Sequence, residues 1–285
     1  MLAFIQYPHL DPVIFKLGPV AIRWYGLAYV AGLAICYQLL LRMVKAGTLP
    51  MTREDLSDLI GWLALGVVGG GRAGWWLFYH RAEAGVVEPW WEPIAIWHGG
   101  MSFHGGLLGV TLALAIWTRV KKIPFWPVAD VAARLTPIGL FFGRIANFIN
   151  AELVGRPTDK PWGVIFPEDA ATGLARHPSQ LYEAALEGPA LFLSLYLWHR
   201  FVGRRYSGST AAMFLVVYGI FRFVVEFTRE PDPQLGYIAW GWLTMGQLLS
   251  VAIMLVGVGL VIWRMARPQP VAEPTMAQTT LDGMQ

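Results

Sequence analysis

Residues 243–263 read LTMGQLLSVAIMLVGVGLVIW and contain no charged side chain. A helix rises about 1.5 Å per residue, so about 20 apolar residues cross a hydrocarbon core that is about 30 Å thick. In lipid, every backbone N–H and C=O group must find a partner inside the protein, and a helix achieves this within one segment. This stretch therefore predicts a membrane-spanning helix.

Six more apolar runs precede this one. They lie at Ile22 to Leu41, Leu56 to Tyr79, Phe103 to Thr118, Val128 to Ile149, Gln180 to His199 and Thr210 to Thr228. The whole chain is 55% hydrophobic and only 14% charged, whereas an ordinary soluble domain is about 25% charged. We therefore predict an all-α integral membrane protein with about seven transmembrane helices, of which the third and fourth are the most interrupted.

The basic residues are unevenly divided between the two sides that this pattern implies. Eleven lie in the loops after runs one, three and five and after the last run, and seven lie on the other side. Because Lys and Arg accumulate in cytoplasmic loops, we predict an outer amino terminus and a cytoplasmic carboxyl terminus in the bacterial cytoplasmic (inner) membrane. Residues 151–177, the longest connection, then form an extracytoplasmic loop region between helices four and five.

The carboxyl end of the sequence differs in composition from the rest. Residues 268–285 are polar and contain proline, which is typical of segments that cannot bury enough apolar surface to fold. We predict a single polytopic membrane domain over residues 1–267 and a disordered cytoplasmic tail over residues 268–285.

Charge and cysteine content argue against several classes of function. The net charge is +3, but the basic residues lie in short loops, where they set orientation and do not indicate binding to nucleic acid. Cys36 is the only cysteine, so an internal disulfide and a cysteine-rich metal site are excluded. His98 and His104 are six residues apart, which is the wrong interval for a helical zinc pair, and we predict no metal site.

The densest polar segment reads GRIANFINAELVGR at residues 143–156. Arg144 and Asn147 are three residues apart and share one helix face, and Asn150 and Glu152 continue the polar trail toward the following loop. A cation inside a membrane helix costs about 2.5 to 3.5 kcal/mol on insertion scales, so Arg144 should face a partner or a polar cavity. Helix capping would explain the Asn and Glu residues but not the arginine.

Two more arginines interrupt the apolar runs, Arg72 in the second and Arg134 in the fourth. Long cationic side chains reach toward the interface or pair with a nearby group. For both residues we favour a structural role.

The sixth run carries a stripe of polar residues. Tyr218, Arg222 and Glu226 follow at intervals of four, and Arg229 comes three residues later, so all four lie on one helix face. A structural Arg222–Glu226 bridge is one explanation. The other is a phosphodiester site, because the fork of donors on Arg144 and Arg222 matches phosphate oxygens.

A glycine-rich segment reads HGGMSFHGGLLG at residues 98–109. Gly105 and Gly109 form a small-xxx-small pair that is suited to close contact between helices. His104 stands at the start of the third run, where it either caps a helix or acts as a general base near neutral pH.

Residues 176–183 read RHPSQLYE and mark the start of the fifth run. The proline suits the first turn of a helix. Capping alone does not require Gln180, Tyr182 and Glu183 together, so structural and site roles both stay open.

These motifs occur in a fixed order along the chain, namely RWYG at 23–26, HGG at 104–106, GRIANFINAELVG at 143–155, HPSQLYE at 177–183 and Tyr218 through Arg222 to Glu226. Together they resemble the prolipoprotein diacylglyceryl transferase family, over about Leu17 to Thr244. Ala146 and Ala151 stand where glycine is expected in many members, a change that affects packing more than chemistry.

The resemblance implies an enzyme that acts on phosphatidylglycerol and on the lipobox cysteine of a prolipoprotein signal peptide. It implies a thioether to diacylglycerol, release of glycerol phosphate, and no cofactor. Arg144 and Arg222 are then expected to bind the phosphate, and His104 to activate the thiol or to hydrogen-bond the head group. The other expected site residues are Tyr218, counted with the catalytic group, and the substrate-binding residues Tyr25, Asn147, Asn150, Glu152, Gly155, Glu226 and Arg229.

A lipid or small-anion transporter, or flippase, is the alternative. Arginines inside the membrane and broken helices also mark substrate pathways. Many transporters contain an inverted repeat, and the two halves of this sequence show none. A passive structural subunit would leave Arg144 and Arg222 without a reason.

Overall fold

The computed structural model describes residues 4–8, 10–17, 20–78, 91–95, 100–231 and 236–267. His98 and the predicted tail at 268–285 lie outside the described residues. Where it is described, the chain is mostly helical.

The helices are α1 Trp24–Lys45, α2 Arg53–Phe78, α3 Phe103–Lys121, α4 Phe125–Ile149, α5 Ser179–Ala185, α6 Leu191–Trp198, α7 Ser209–Glu226 and α8 Met245–Met265. Each apolar run of the sequence falls on one or two of these helices, with ends that differ by about one turn at most. Among the described helices, α1, α7 and α8 are long and apolar enough to cross a membrane.

The fifth run is not one regular helix. Wider π-helical turns at Leu186–Ala190 join α5 to α6, and another π-helical segment, His199–Gly203, follows α6. Gly188 has non-helical backbone angles, φ −92° and ψ −106°. Pro189 follows it, and a proline inside a helix removes a backbone donor and displaces the preceding turn.

Short strands correct the all-α prediction. β1 Ile5–Gln6 pairs in parallel with β4 Val164–Ile165, and β2 Val13–Leu17 pairs antiparallel with β3 Val20–Arg23. The first pairing joins segments that are far apart in the sequence, so local patterns did not predict it.

Tyr7 follows β1 and is 3% exposed. Its hydroxyl donates to the carbonyl oxygens of Phe148 at 3.0 Å and Ile149 at 2.7 Å. Burial raises the pKa of Tyr7, which keeps the hydroxyl a donor. The carboxyl end of α4 therefore has two of its last carbonyls satisfied by this side chain.

The chain divides into two compact units. One is built from the described residues up to Leu39 and from Asp130 onward, and the other from the described residues of Leu40–Ala129.

In the unit of residues 40–129, glycines set the contact between α2 and α3. A methyl group added to Gly70 would lie 2.7 Å from the Cα atom of Gly109, and one added to Gly74 would lie 2.7 Å from the Cα atom of Gly105. Non-bonded carbon atoms do not approach this closely. Only glycine therefore fits where the backbones of α2 and α3 meet. The predicted role of Gly105 and Gly109 in helix contact is confirmed.

In the other unit, α7 packs against α6 and α8. Tyr218 belongs to a core cluster with Ala133, Leu191, Leu195 and Phe214. Its ring stacks on that of Phe214 with the centroids 5.6 Å apart. This packing fixes the helix that carries Arg222 and Glu226.

Candidate active site

Arg144 is bound by two buried carboxylates. Its Nη1 lies 2.8 Å from Oε2 of Glu183, and its Nε lies 2.9 Å from Oε2 of Glu187. The side chains of Glu183 and Glu187 are 1% and 0% exposed. A bare buried carboxylate would be costly, and the single charge of this guanidinium group offsets part of that cost for both.

Helix α7 brings a second guanidinium group, that of Arg222, to the carboxylate of Glu183. Nη1 of Arg222 lies 2.7 Å from Oε2 of Glu226 and 3.4 Å from Oε1 of Glu183. Arg229, just after α7, places its Nη1 3.0 Å from the same Glu183 oxygen, and its Nε 3.6 Å from Glu226. We name Arg144, Arg222, Arg229, Glu183, Glu187 and Glu226 the arginine–glutamate cluster.

The arginines of this cluster keep unused donors. A guanidinium group has five N–H donors. Within the described residues, no hydrogen bond or ion pair involves Nη2 of Arg144, or Nε and Nη2 of Arg222. Both side chains are 17% exposed, whereas their carboxylate partners are nearly inaccessible. The cluster can therefore accept an anion on its arginine side.

Glu187 was missed by sequence reasoning. It lies inside an apolar run, on the π-helical segment that contains Gly188, four residues after Glu183. Spacing of four places two side chains on one helix face. Because a lone carboxylate is costly inside an apolar run, this spacing was the signal that could have identified it.

Glu226 is also held from the start of α8. The Thr244 hydroxyl donates to Oε1 of Glu226 at 2.8 Å. Thr244 and Gln247 form a capping box at the amino end of α8. A side chain at Gly246 would collide with Glu226, since an added methyl carbon would lie 2.5 Å from Oε1. Thr244 and Gly246 are further residues that sequence reasoning did not identify.

A second polar group lies around the end of α4. Nδ2 of Asn147 donates to Oε1 of Glu152 at 2.6 Å, and Nε2 of Gln180 donates to the Glu152 carbonyl oxygen at 2.6 Å. Asn150 keeps a buried Oδ1 atom that accepts no hydrogen bond from the described residues. Asn147 and Glu152 are thus brought together as a pair.

Tyr25 lies near this second group. Its hydroxyl oxygen is 3.1 Å from that of Tyr29, one turn further along α1. The Tyr25 hydroxyl lies within range of the charges of Glu152 and Arg144. The Tyr218 hydroxyl lies within range of the charges of Arg144, Arg222 and Glu187 of the cluster.

Gly155 lies where backbones cross. Its N–H donates to the His177 carbonyl oxygen at 3.0 Å, and it pairs with Arg229 in an isolated bridge. A methyl group at this position would lie 2.6 Å from the Thr228 carbonyl oxygen. Close packing therefore accounts for the glycine, and its predicted substrate contact stays a prediction.

The connection from residue 151 to 177 is tied to the residues after α7. Nε of Arg156 donates to the Arg229 carbonyl oxygen at 2.7 Å. Arg176 bridges Asp169 at 2.6 Å and Glu230 at 2.8 Å. Hydrogen bonding to Asp169 raises the pKa of Arg176, with Glu230 adding to it.

His104 is a predicted catalytic residue whose backbone alone is described. It lies in the first turn of α3, whose cap Ser102 accepts from the Gly105 N–H at 3.2 Å. The His104 side chain lies outside the described residues, so its predicted role stays a prediction.

Arg144, Arg222, Arg229 and Glu226 are therefore brought together around Glu183. Of these, Arg222, Glu226 and Arg229 belong to the predicted stripe, whereas Arg144 comes from α4. Within the described ranges, no group of three or more His, Cys, Asp or Glu side chains is suited to a metal ion. The arrangement offers guanidinium donors on a charge-balanced support, which suits binding of a singly charged oxyanion.

The comparisons with known proteins agree in one family. The model of the prolipoprotein diacylglyceryl transferase family matches residues 12–263. A phosphatidylglycerol–prolipoprotein diacylglyceryl transferase of Pseudomonas putida (strain F1) is 50% identical over 272 residues, which cover 95% of this chain and 99% of that protein. A protein of the same name from Solidesulfovibrio magneticus is 50% identical over 265 residues, covering 93% and 97%. Another from Rhizobium meliloti is 49% identical over 281 residues, covering 95% and 96%. The chain therefore belongs to the prolipoprotein diacylglyceryl transferase family and is a membrane-embedded transferase.

Proposed function

We propose that this protein transfers the diacylglyceryl group of phosphatidylglycerol to the lipobox cysteine thiol of prolipoproteins. The similar proteins are named for both substrates, phosphatidylglycerol and prolipoprotein. The observation that carries the proposal is the pair Arg144 and Arg222, which share the carboxylate of Glu183 and keep unused N–H donors.

The reaction needs an activated sulfur and a stabilised leaving group. The thiol gives up its proton to a base, and the sulfur attacks the diacylglycerol carbon that is bonded to the phosphate oxygen. A C–S bond forms and the C–O bond breaks, with the electron pair leaving on glycerol phosphate. Arg144 and Arg222 stabilise the charge that develops on this phosphate.

The other residues receive supporting roles in this proposal. His104 activates the thiol or hydrogen-bonds the lipid head group. Tyr218 and Arg229 support the two phosphate-binding arginines. The residues proposed to orient the substrates are Tyr25, Asn147, Asn150, Glu152, Gly155 and Glu226.

The proposed placement in the membrane follows from the apolar runs and the basic loops. Seven helical passes over residues 1–267 form one membrane domain in the bacterial inner membrane, and 268–285 is a cytoplasmic tail. The amino terminus and residues 151–177 lie outside. With Cys36→Ala as the background, single cysteines at Lys121 and Asp169 test this placement. An impermeant thiol reagent applied to intact cells should label position 169 and spare 121, and the reverse would contradict the orientation.

The activity is tested with purified protein in phosphatidylglycerol micelles and a lipobox peptide. A peptide that carries a thioether-linked diacylglyceryl group supports the transferase, and a peptide with serine in place of the lipobox cysteine should stay unmodified. Lipid redistribution in vesicles without any new bond would instead support the flippase alternative.

A further inference from the structure

Glu183 connects all three arginines of the arginine–glutamate cluster. One carboxylate oxygen, Oε2, lies 2.8 Å from Arg144. The other, Oε1, lies 3.0 Å from Arg229 and 3.4 Å from Arg222. Glu187 and Glu226 contact fewer of these arginines among the described ion pairs. The separation of Arg144 on α4 from Arg222 on α7 is thus set through one side chain of α5.

The burial of Glu183 limits what it can touch. Its side chain is 1% exposed, whereas those of Arg144 and Arg222 are each 17% exposed. An anion that reaches the cluster therefore meets guanidinium groups and not this carboxylate. Glu183 can act on an anion only through the arginines and through its charge.

The charges of the cluster balance. Three arginines face three glutamates at the distances given above. A phosphodiester lipid brings one negative charge, but a phosphate monoester carries about −1.5 to −2 at pH 7. A surplus of positive charge here would therefore favour the monoester product over the diester substrate and slow its release.

We infer that Glu183 is a positioning residue with two effects, which rest on the proposed function. It holds Arg144 and Arg222 at a fixed separation for the phosphodiester, and its negative charge keeps the cluster from retaining the more highly charged glycerol phosphate. At the effective dielectric of a protein, one charge a few ångströms away changes affinity for each further phosphate charge by roughly tenfold or more.

The two effects are separated by two variants. Glu183→Gln keeps the shape and removes the charge, so inhibition by added glycerol phosphate should tighten about tenfold. Inhibition by glycerophosphoglycerol, a singly charged phosphodiester, should tighten less. Glu183→Asp keeps the charge but shortens the reach, so kcat should fall while inhibition by glycerol phosphate stays near that of the native protein.

The readouts are kcat, KM for phosphatidylglycerol at saturating lipobox peptide, and both inhibition constants. In Glu183→Gln, kcat should fall without a rise in KM. Glu230→Gln is the matched control, because that carboxylate bridges Arg176 and is 49% exposed, and none of the constants should change. A purely structural role for Glu183 would reduce the amount of folded protein and leave these constants unaltered.

The inference is overturned if glycerol phosphate inhibits Glu183→Gln and the native protein equally, or if Glu183→Asp turns over like the native protein. The turnover of Glu183→Asp tests the positioning role even if Glu183→Gln does not fold. An inactive native protein would instead contradict the proposed function, so the two failures are distinguishable.

Discussion

Arg72 and Arg144 both lie inside helices of a membrane protein, but their surroundings differ. Arg72 is 3% exposed, binds Glu92 through the side chain at 2.9 Å and the carbonyl oxygen at 2.6 Å, and lies 4.5 Å from the ring centroid of Trp75. Arg144 is bound by two carboxylates and is still 17% exposed. The Arg72 side chain is almost fully enclosed by protein. Arg144 keeps an N–H donor that can bind an anion from outside the cluster.

This difference separates a structural arginine from a binding one. Burial alone does not separate them, because both side chains are mostly enclosed. What distinguishes them is whether N–H donors stay unused on a side that remains accessible, as on Arg144 with its side chain 17% exposed. The pairing of Arg72 with Glu92 agrees with the favoured structural role, which stays a prediction, and Arg222 resembles Arg144 in its exposure.

The largest expected effect is on stability, at Arg72. Arg72→Met removes the guanidinium partner of the buried Glu92 carboxylate, which should lower the free energy of unfolding by about 3 to 5 kcal/mol. The measurement is the midpoint of thermal unfolding in detergent micelles. The double variant Arg72→Met with Glu92→Met should recover much of the loss, because both charges of the buried pair are then removed. Folded Arg72→Met protein with a much lower kcat would break the comparison by giving Arg72 a part in the reaction.

The next effect is on activity, at Arg222. Arg222→Lys keeps the charge but cannot present two parallel donors to a phosphate. Loss of one charge-assisted contact to the leaving group should cost about 2 to 4 kcal/mol, or roughly thirty- to a thousandfold in kcat. The exposed Arg205 gives the control Arg205→Lys, which should be as active as the native protein. Near-native turnover by a folded Arg222→Lys variant would place Arg222 with Arg72.

His104→Asn tests the residue that lies outside this comparison. If His104 is the general base, turnover should fall about a hundredfold. The residual rate should then rise with pH, because a free thiol with a pKa of about 8.5 ionises without help. Rate is measured against pH at saturating lipid and peptide. Parallel profiles that differ by a small constant factor would show that His104 only orients the head group.

The smallest expected effect concerns the contact between α2 and α3. Gly70→Ala places a carbon 2.7 Å from the Cα atom of Gly109, and such overpacking should cost about 1 to 3 kcal/mol of stability. Gly69→Ala is the control, since nothing lies within 4 Å of its added carbon. Equal unfolding midpoints for the two variants would show that these helices separate easily.

The sequence predicted the helices more fully than the site. Apolar runs identify helices because lipid leaves the backbone few alternatives. The π-helical turns around Gly188 were not predicted, since a glycine and a proline within an apolar run do not specify where the widened turns begin. The pairing of Ile5 with Val164 was missed because short strands with remote partners leave no local pattern.

The site was predicted in part. The spacing of Tyr218, Arg222 and Glu226 on one helix face follows from the period of a helix and was visible in the sequence. The dependence of both arginines on Glu183 was not visible, because that contact joins α4, α5 and α7. The spacing of residues in a sequence describes contacts within one helix. The sharing of the Glu183 carboxylate depends on how three helices pack.

The hydrogen bonds of Tyr7 bear on the order in which the protein is built. Tyr7 and Phe148 are 141 residues apart, and translation proceeds at about 5 to 20 residues per second. The interval between the synthesis of Tyr7 and the synthesis of Phe148 is therefore about 7 to 28 s. During this interval the chain has already presented its first apolar runs for insertion. The hydrogen bonds at the carboxyl end of α4, beside Asn147 and Asn150, therefore cannot form before about half of the 285 residues have been synthesised. A chain cut short before Phe148 leaves Tyr7 without these acceptors.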